Sequence, residues 1–524
     1  MLHPLCRLQS VKNLKRDQSK TVLRGDMGAP EGILGQTYWQ SVKDKQEEYA
    51  ATRTGRWALN VVKPSLFSTR AGKGRQLRRT AYLDGLRGFA ALLVYFGHHE
   101  LWAHGSMNPE SIFENGFGYK GQHHFVTLPG VRTFFSGGHF AVSVFFVISG
   151  YVLSTKPMQY IHAGDQLSLS NNLSSALFRR WIRLFLPVAC TTFLYMCSWH
   201  LGVRSEVPVQ STFKAELWKW YKEFRDYSFL FDTSGRPGLT YSFHVWSIPT
   251  GKHKSKYCGA KLICLLEFKG SIVVYTSLLA FSRARRNMRL LCMIVLMLYF
   301  IYFVDAWYCA MFVMGMLQCD MDNLALSNDL PKPLARLDVI KKPIYCVLFA
   351  AGIYLGGCPS SNQDTQILRD APGWDYLSYL KPEALYDFKW FFLFWAATFT
   401  VASVPRIPPL KQFFECRFNQ YLGRISFAFY LVHGPLIWTV ADRLYAMTGC
   451  TRESHAMTSP HWMNKIQLPS TGPLGLELNF LLPHLLILPI TLWFAEVATR
   501  LFDEPSVRFA QWVYGRILDR TEKS

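Results

Sequence analysis

An arginine and a histidine lie eleven positions apart in one apolar stretch, YLDGLRGFAALLVYFGHH, residues 82–99. Every residue from Gly88 to Gly97 between them is apolar or glycine. In a helix, at about 100° per residue, Arg87 and His98 share one face and stand about 16 Å apart along the axis. Ionisable groups inside a bilayer are costly and are usually functional. The alternative is that Arg87 anchors the helix at the cytosolic surface and that His98 is a hydrogen-bonded core histidine.

The composition indicates that this helix belongs to a membrane protein. Of the 524 residues, 50% are hydrophobic, 15% are aromatic and only 18% are charged, and the apolar residues form long runs. This pattern predicts an all-α fold, a polytopic bundle of membrane helices, because soluble domains carry more charge. The net charge of +21 would also suit a nucleic-acid-binding protein. The lysines and arginines lie between the apolar runs, however, which favours membrane topology and argues against a nucleic-acid partner.

Ten apolar segments are candidates for transmembrane helices. They cover residues 86–104, 138–155, 184–202, 268–282, 288–304, 306–318, 343–358, 389–404, 425–444 and 476–500. With the N-terminus inside, each loop predicted to be cytosolic contains a cluster of basic residues. These clusters are Arg179, Arg180 and Arg183; Arg283, Arg285, Arg286 and Arg289; Lys332, Arg336, Lys341 and Lys342; and Arg406, Lys411, Arg417 and Arg424. The positive-inside rule therefore predicts about ten spans with both termini cytosolic, in an endomembrane or the plasma membrane.

The two ends of the chain differ from the apolar region. Residues 1–78 are polar and basic and contain no apolar core of signal-peptide length. This composition predicts a partly disordered cytosolic tail. The membrane domain is expected over residues 79–515, followed by a cytosolic tail over 516–524. The twelve cysteines form neither a CxxC pair nor a zinc spacing, so neither a disulfide framework nor a metal site is predicted.

Several motifs resemble those of one protein family and occur in that family's order. Besides the Arg87–His98 spacing, they are FAVSVFFVISGYVLS at 140–154, RRWIRLFLP at 179–187, LGRISFAFYLVHGP at 422–435 and AEVATRLFDEPSVRFA at 495–510. Together, over residues 80–520, they resemble the acyltransferase 3 family of integral-membrane O-acyltransferases, in its stand-alone fungal form.

The resemblance implies transfer of an acyl group, often acetyl, from a coenzyme A thioester to a hydroxyl of a sugar, a lipid or a small metabolite. A hydroxyl must lose its proton as it attacks a thioester. A histidine, with an ordinary pKa of about 6.5, suits that task, so His98 is the predicted general base. The phosphates of acyl-CoA require cations, which cytosolic arginines can supply. Acyl-CoA is the expected donor, and no metal or bound prosthetic group is expected.

The resemblance and the position of ionisable groups select the candidate site residues. The predicted catalytic residues are His98, Arg87 and Glu267, and the predicted substrate-binding residues are Asp84, His99, Ser149, Arg179, Arg180, Arg183, Trp246 and His433. Only His98 has the family spacing, so His99 is a secondary candidate. Structural alternatives exist for most of the others. Asp84 would orient Arg87 or cap the helix start, Ser149 would pack helices together, His433 would hydrogen-bond within the bundle, and the arginines would mark the cytosolic side.

One stretch departs from the family pattern. YSFHVWSIP at 241–249 and EFKGSIVVY at 267–275 resemble a continuous fungal block, but residues 251–266 interrupt it. These sixteen residues correspond to 48 nucleotides at three per codon, the length of a short fungal intron. Codons for the first and last residues can contain a splice donor and an acceptor. We therefore predict a retained intron, with a genuine basic loop as the alternative. Its four lysines would disturb the adjacent Glu267, the single acidic group of its apolar segment.

The sequence also allows two functions other than acyl transfer. A transporter or flippase also lines its path with buried Arg, His and Glu, although the chain has neither paired broken helices nor an internal repeat. A catalytically silent interaction protein is the third interpretation, because the insert would disturb the site. The acceptor, the acyl chain length and the oligomeric state do not follow from the sequence.

Overall fold

A computed structural model of the chain describes residues 61–62, 77–104, 117–118, 121, 123–201, 203, 209–228, 263–336, 340–359, 364–470 and 476–518. The chain divides into two compact units, Met1–Lys63 and Pro64–Ser524, and the described residues other than 61–62 belong to the second unit. Trp246, residues 251–262 and nearly all of the predicted N-terminal tail lie outside the described residues.

The regular elements are helices, and no strand occurs in the described part of the chain. The principal helices are α1 (Ala81–Ala103), α2 (Gly138–Ala163), α3 (Gln166–His200), α4 (Phe213–Tyr227), α5 (Ile263–Ala280), α6 (Arg286–Tyr302), α7 (Trp307–Leu326), α8 (Lys341–Gly356), α9 (Lys389–Ser403), α10 (Pro408–Glu415), α11 (Arg417–Leu436), α12 (His484–Ala498) and α13 (Glu504–Ile517). Each of the ten predicted apolar segments overlaps one of these helices. The predicted all-α fold is therefore confirmed.

Several helices can cross a membrane by length and composition. Within the described residues they are α2, α3 and two longer runs, Arg417–Thr448 and Leu478–Ile517. The first run extends α11 through a π-helical turn at Ile437–Ala441, and the second joins α12 to α13 through another at Thr499–Asp503. A fifth candidate consists of Lys389–Arg406, which contains α9, together with α10, and it bends by 94° between them. Prolines lie at this bend, where their rings and missing N–H groups interrupt a helix.

Helix α3 begins at Gln166 rather than at residue 184, so the cytosolic loop predicted to contain the basic motif is helical instead. Asp165 caps the helix by accepting a hydrogen bond from the backbone N–H of Ser168. Hydrogen bonds from Ser168 also lower the pKa of the Asp165 carboxyl. The polar first half of α3 contains neither glycine nor proline to interrupt it. Arg180 therefore lies on a regular helix and not on a loop.

Helix α1 packs against both α2 and α11. A Cβ atom on Gly88 would lie 2.3 Å from the backbone nitrogen of Gly423, and one on Gly423 would lie 2.2 Å from the carbonyl oxygen of Asp84. Helices α2 and α7 approach in the same way, because a Cβ on Gly150 would lie 2.0 Å from the carbonyl oxygen of Phe312. Small residues thus allow direct backbone contact, as is common between membrane helices.

Candidate active site

Two of the predicted histidines, on α1 and α11, are hydrogen-bonded to each other. Nδ1 of His98 lies 2.7 Å from Nε2 of His433, and the two rings meet edge to edge, with centroids 5.0 Å apart and 16° between their planes. Nδ1 of His433 lies 3.0 Å from the carbonyl oxygen of Phe429. His98 is partly exposed, whereas His433 is only 1% exposed. A molecule that reaches this pair therefore meets His98, with His433 behind it.

Arg87 joins the same two helices at a second level. Its Nη2 donates a 2.8 Å hydrogen bond to the carbonyl oxygen of Gly423. The spacing from 87 to 98 on α1 nearly equals that from 423 to 433 on α11, so the helices run parallel and are joined twice. No hydrogen bond links Arg87 to His98 among the residues that the structure describes. Arg87 thus holds α1 against α11 at a point about 16 Å along the helix axis from the histidine pair.

Glu267 on α5 is held by residues of two other helices. Its Oε1 accepts a 2.8 Å hydrogen bond from the hydroxyl of Ser149 on α2. Its Oε2 lies 2.7 Å from Nη2 of Arg180 on α3. Nε of Arg180 donates a 3.0 Å hydrogen bond to the hydroxyl of Ser271. Both charged side chains are 13% exposed, so the ion pair is largely buried and ties α3 to α5.

These contacts change two interpretations of the sequence. Glu267 was a candidate partner for His98, but its hydrogen bonds within the described residues go to Ser149 and Arg180. Ser149 does not serve packing alone, because its hydroxyl donates to a carboxylate while the neighbouring Gly150 makes the close helix contact.

Three guanidinium groups gather near one end of α1. Arg183 is exposed and has electrostatic interactions with Arg180, Asp503 and Arg87. Arg87 also interacts electrostatically with Glu267. Arg87, Arg180 and Arg183 are called the arginine cluster below. Three carboxylates lie among them: Glu267, Asp503 and Asp84, whose Oδ1 is 3.5 Å from Nη2 of Arg87. Such a cluster suits phosphate groups, because guanidinium and phosphate form strong charge-assisted hydrogen bonds.

Asp84 and Arg179, two of the predicted substrate-binding residues, lie away from the histidine pair. Asp84 lies in the first turn of α1 but does not cap it, because the N-cap residue is Thr80. The Asp84 carboxylate instead pairs with Arg78 at 2.9 Å and with Arg87 at 3.5 Å. Arg179 donates to the carbonyl oxygen of Ser175 on its own helix. Neither residue contacts the histidine pair within the described part of the chain.

His99 belongs to a separate buried network. Its Nδ1 lies 2.8 Å from the hydroxyl of Tyr445, which lies 3.2 Å from Nε2 of His484. Nδ1 of His484 lies 2.9 Å from the hydroxyl of Tyr95. The sequence analysis missed this network, although a histidine in the last apolar segment was a usable signal. His99 therefore lies among buried polar groups of the core, while His98 faces α11.

The far end of α1 is fastened to the segment that follows α11. Asp442 accepts hydrogen bonds from Nε1 of Trp102 at 2.9 Å and from Nε2 of His455 at 3.0 Å. Arg452 donates to the same carboxylate, and its guanidinium lies 4.0 Å from the ring centroid of Trp102. The sequence analysis also missed this cluster. Asp442 was a usable signal, because it is the one acidic residue in the predicted apolar segment 425–444.

Known proteins of similar sequence define the class. A family model described as "Acyltransferase domain" (acyltransferase 3) matches residues 80–494. The chain is 29% identical over 497 residues to the O-acetyltransferase PaAT-1 of Phomopsis amygdali, covering 89% of this chain and 90% of that protein. It is 22% identical over 416 residues to the acyltransferase clz18 of Cochliobolus lunatus, covering 70% of this chain and 84% of that protein. No solved structure matches the chain.

The helical fold, its apolar helices and these matches define the protein as a membrane-associated acyltransferase. Because the family model spans most of the chain, the protein belongs to the acyltransferase 3 family. The predicted resemblance is therefore confirmed. The prediction of an O-acyltransferase is confirmed as well, by this membership and by the O-acetyltransferase among the relatives.

Proposed function

We propose that the enzyme transfers an acyl group, in the first instance acetyl, from acyl-CoA to a hydroxyl of a sugar, a lipid or a small metabolite. The partly exposed His98, hydrogen-bonded to His433 in a chain of this family, carries the proposal. The relatedness to an O-acetyltransferase favours acetyl as the group and oxygen as the acceptor atom.

The reaction needs one group that first accepts a proton and then returns it. The imidazole of His98 accepts the proton of the hydroxyl as its oxygen attacks the thioester carbonyl. The carbon–sulfur bond then breaks, and the imidazolium gives the proton to the departing sulfur. The products are an ester and free coenzyme A, and His98 is neutral again. The surrounding helices help to keep water from taking the acyl group.

The arginine cluster is the proposed binding site for the phosphates of acyl-CoA. It lies at the end of α1 that carries Arg87, about 16 Å along the helix axis from His98. The thioester lies at the end of a long, flexible arm, so a donor bound by its phosphates extends along α1 towards His98. Arg87 then has two tasks, since it joins α1 to α11 and contributes charge to the donor site.

The proposed topology places this donor site on the cytosolic side. The ten predicted segments, each overlapping a helix, would cross an endomembrane or the plasma membrane with both termini cytosolic. The cytosol supplies acyl-CoA, and the positive-inside rule places the arginine cluster there. The multi-pass membrane domain over residues 79–515 and its two cytosolic tails are part of this proposal.

The test uses membranes that contain the full chain or the chain without residues 251–266. They are incubated with labelled acetyl-CoA and an extract of lipids and metabolites. We expect label in an ester, and we expect His98→Ala to lower the rate by about 10²- to 10⁴-fold, the usual contribution of a general base. His200→Ala is the matched control, because His200 is exposed at the end of α3 and should not affect the rate.

Two results would contradict the proposal. Full activity of a normally abundant His98→Ala variant would exclude this residue as the base. If both forms of the chain accumulate but consume neither acetyl-CoA nor longer acyl-CoAs, the protein is instead a transporter or a silent interaction protein.

A further inference from the structure

We propose that His433 is a positioning residue that fixes the tautomer of His98, so that Nε2 of His98 is the atom that accepts the proton. The inference rests on the proposed function and adds to it the identity of the basic atom and the device that selects it. The inference is carried by the directions of two linked hydrogen bonds, one between Phe429 and His433 and one between His433 and His98.

The direction of the first bond follows from its acceptor. Nδ1 of His433 lies 3.0 Å from the carbonyl oxygen of Phe429, and a carbonyl oxygen can only accept a hydrogen bond. Nδ1 of His433 therefore carries the hydrogen. In a neutral imidazole one nitrogen donates and the other accepts, so Nε2 of His433 holds a lone pair.

The direction of the second bond follows from the first. Nδ1 of His98 lies 2.7 Å from Nε2 of His433. Because that Nε2 accepts, Nδ1 of His98 must carry a hydrogen and donate it. The lone pair of neutral His98 is then on Nε2. A backbone carbonyl on α11 thus determines, through His433, which nitrogen of His98 is basic.

The burial of the two rings separates their roles. His433 is 1% exposed, and its ring plane lies only 16° from that of His98, which suits a hydrogen bond made in the plane of both rings. His98 is partly exposed. When His98 becomes an imidazolium, the donated hydrogen bond to His433 persists and strengthens, because charge-assisted hydrogen bonds are stronger than neutral ones. His433 therefore orients the base in both of its charge states.

The test compares two replacements of His433 in whichever form of the chain transfers label. His433→Leu removes the acceptor, and His98 can then adopt either tautomer and other ring orientations. His433→Gln keeps a side-chain oxygen near the position of Nε2. We expect His433→Leu to lower kcat by about tenfold or more, within the contribution of the general base, with KM little changed. His433→Gln should recover most of that loss.

A second buried histidine, His484, provides the control. His484→Gln replaces another buried histidine, whose hydrogen bonds within the described residues go to two tyrosine hydroxyls, and its kcat should stay near the wild-type value. A raised KM with unchanged kcat in His433→Leu would make His433 a substrate-binding residue and overturn the inference. If His433→Leu does not accumulate, His433→Gln decides, because a folded but inactive Gln variant overturns the inference as well. Absence of transfer by both forms of the wild-type chain would overturn the proposed function itself.

Discussion

At the scale of single residues, the buried charges near the proposed site are matched by partners. The carboxylate of Glu267 receives bonds from Ser149 and Arg180, and Ser271 takes a further bond from Arg180. A charge removed from water is tolerated when it is paired and its remaining hydrogen bonds are made. The pair therefore holds Arg180 in the arginine cluster, and together with Ser149 it joins α2, α3 and α5.

Removing one partner of the Arg180–Glu267 pair should destabilise the folded protein. Glu267→Ala leaves the largely buried Arg180 without its counter-charge, and we expect the free energy of unfolding to fall by about 3–5 kcal/mol. The measurement is thermal unfolding of the protein in detergent, with Glu383→Ala, an exposed carboxylate, as the control.

A double variant separates stability from function. Arg180→Met combined with Glu267→Leu replaces the pair by apolar side chains and should recover most of the stability. The KM of this double variant for acyl-CoA should nevertheless be higher than that of the wild-type protein, because a cation of the arginine cluster is missing. Wild-type KM in a stable double variant would show that Arg180 does not bind the donor.

At the scale of elements, α1 and α11 form the unit that creates the histidine pair. Their backbones touch at Gly88 and Gly423, and the Arg87 guanidinium bonds the Gly423 carbonyl. About three helical turns further along α1, His98 meets His433. The spacing of Arg87 and His98 therefore has a geometric meaning, since both residues reach the same neighbouring helix at matching positions.

Separating these two helices should impair catalysis without touching the histidines. In Gly423→Ala, the new Cβ would lie 2.2 Å from the carbonyl oxygen of Asp84, so α1 and α11 must move apart. We expect a loss of stability of about 1–3 kcal/mol. We also expect kcat to fall by as much as about 10²-fold, because catalytic groups tolerate little displacement.

The control for this experiment is another helical glycine. A Cβ on Gly515 meets nothing within 4 Å, so Gly515→Ala should retain activity and should not be destabilised. If Gly423→Ala behaves like Gly515→Ala in both assays, close contact between α1 and α11 is not required.

At the scale of the whole molecule, the suspected insert ends inside α5, the helix that carries Glu267. Helix α5 begins at Ile263, inside residues 251–266, and Leu265 and Leu266 are buried. Without the insert, Thr250 would directly precede Glu267 and could cap the shortened helix. Glu267 would keep its place near the start of α5 and its proximity to Arg180.

We predict that mature transcripts lack the codons for residues 251–266. Sequencing of cDNA across codons 246–271 measures this directly. We also expect the shortened protein to accumulate to a higher level and to be more active per molecule than the full chain. A continuous insert in every mature transcript would contradict the retained intron and leave a genuine basic loop before α5.

The sequence by itself determined the class of fold and the family. Long apolar runs predict helices because a backbone inside a bilayer must satisfy its own hydrogen bonds, and each predicted run overlaps a helix. The motifs on α1, α2, α3 and α11 were enough to indicate an acyltransferase. The first half of α3 was missed, since apolar character marks the membrane portion of a helix and not its polar extension.

The partners of the ionisable residues were decided only by the tertiary structure. His98 and His433 are 335 positions apart in the chain, and Glu267 and Arg180 are 87 apart. Sequence spacing describes one helix at a time, whereas the contact between two helices depends on how their backbones pack. Small residues allow α1 and α11 to touch, and this contact brings the imidazole of His98 to that of His433. The packing of α5 against α2 and α3 brings Glu267 to Ser149 and Arg180 instead.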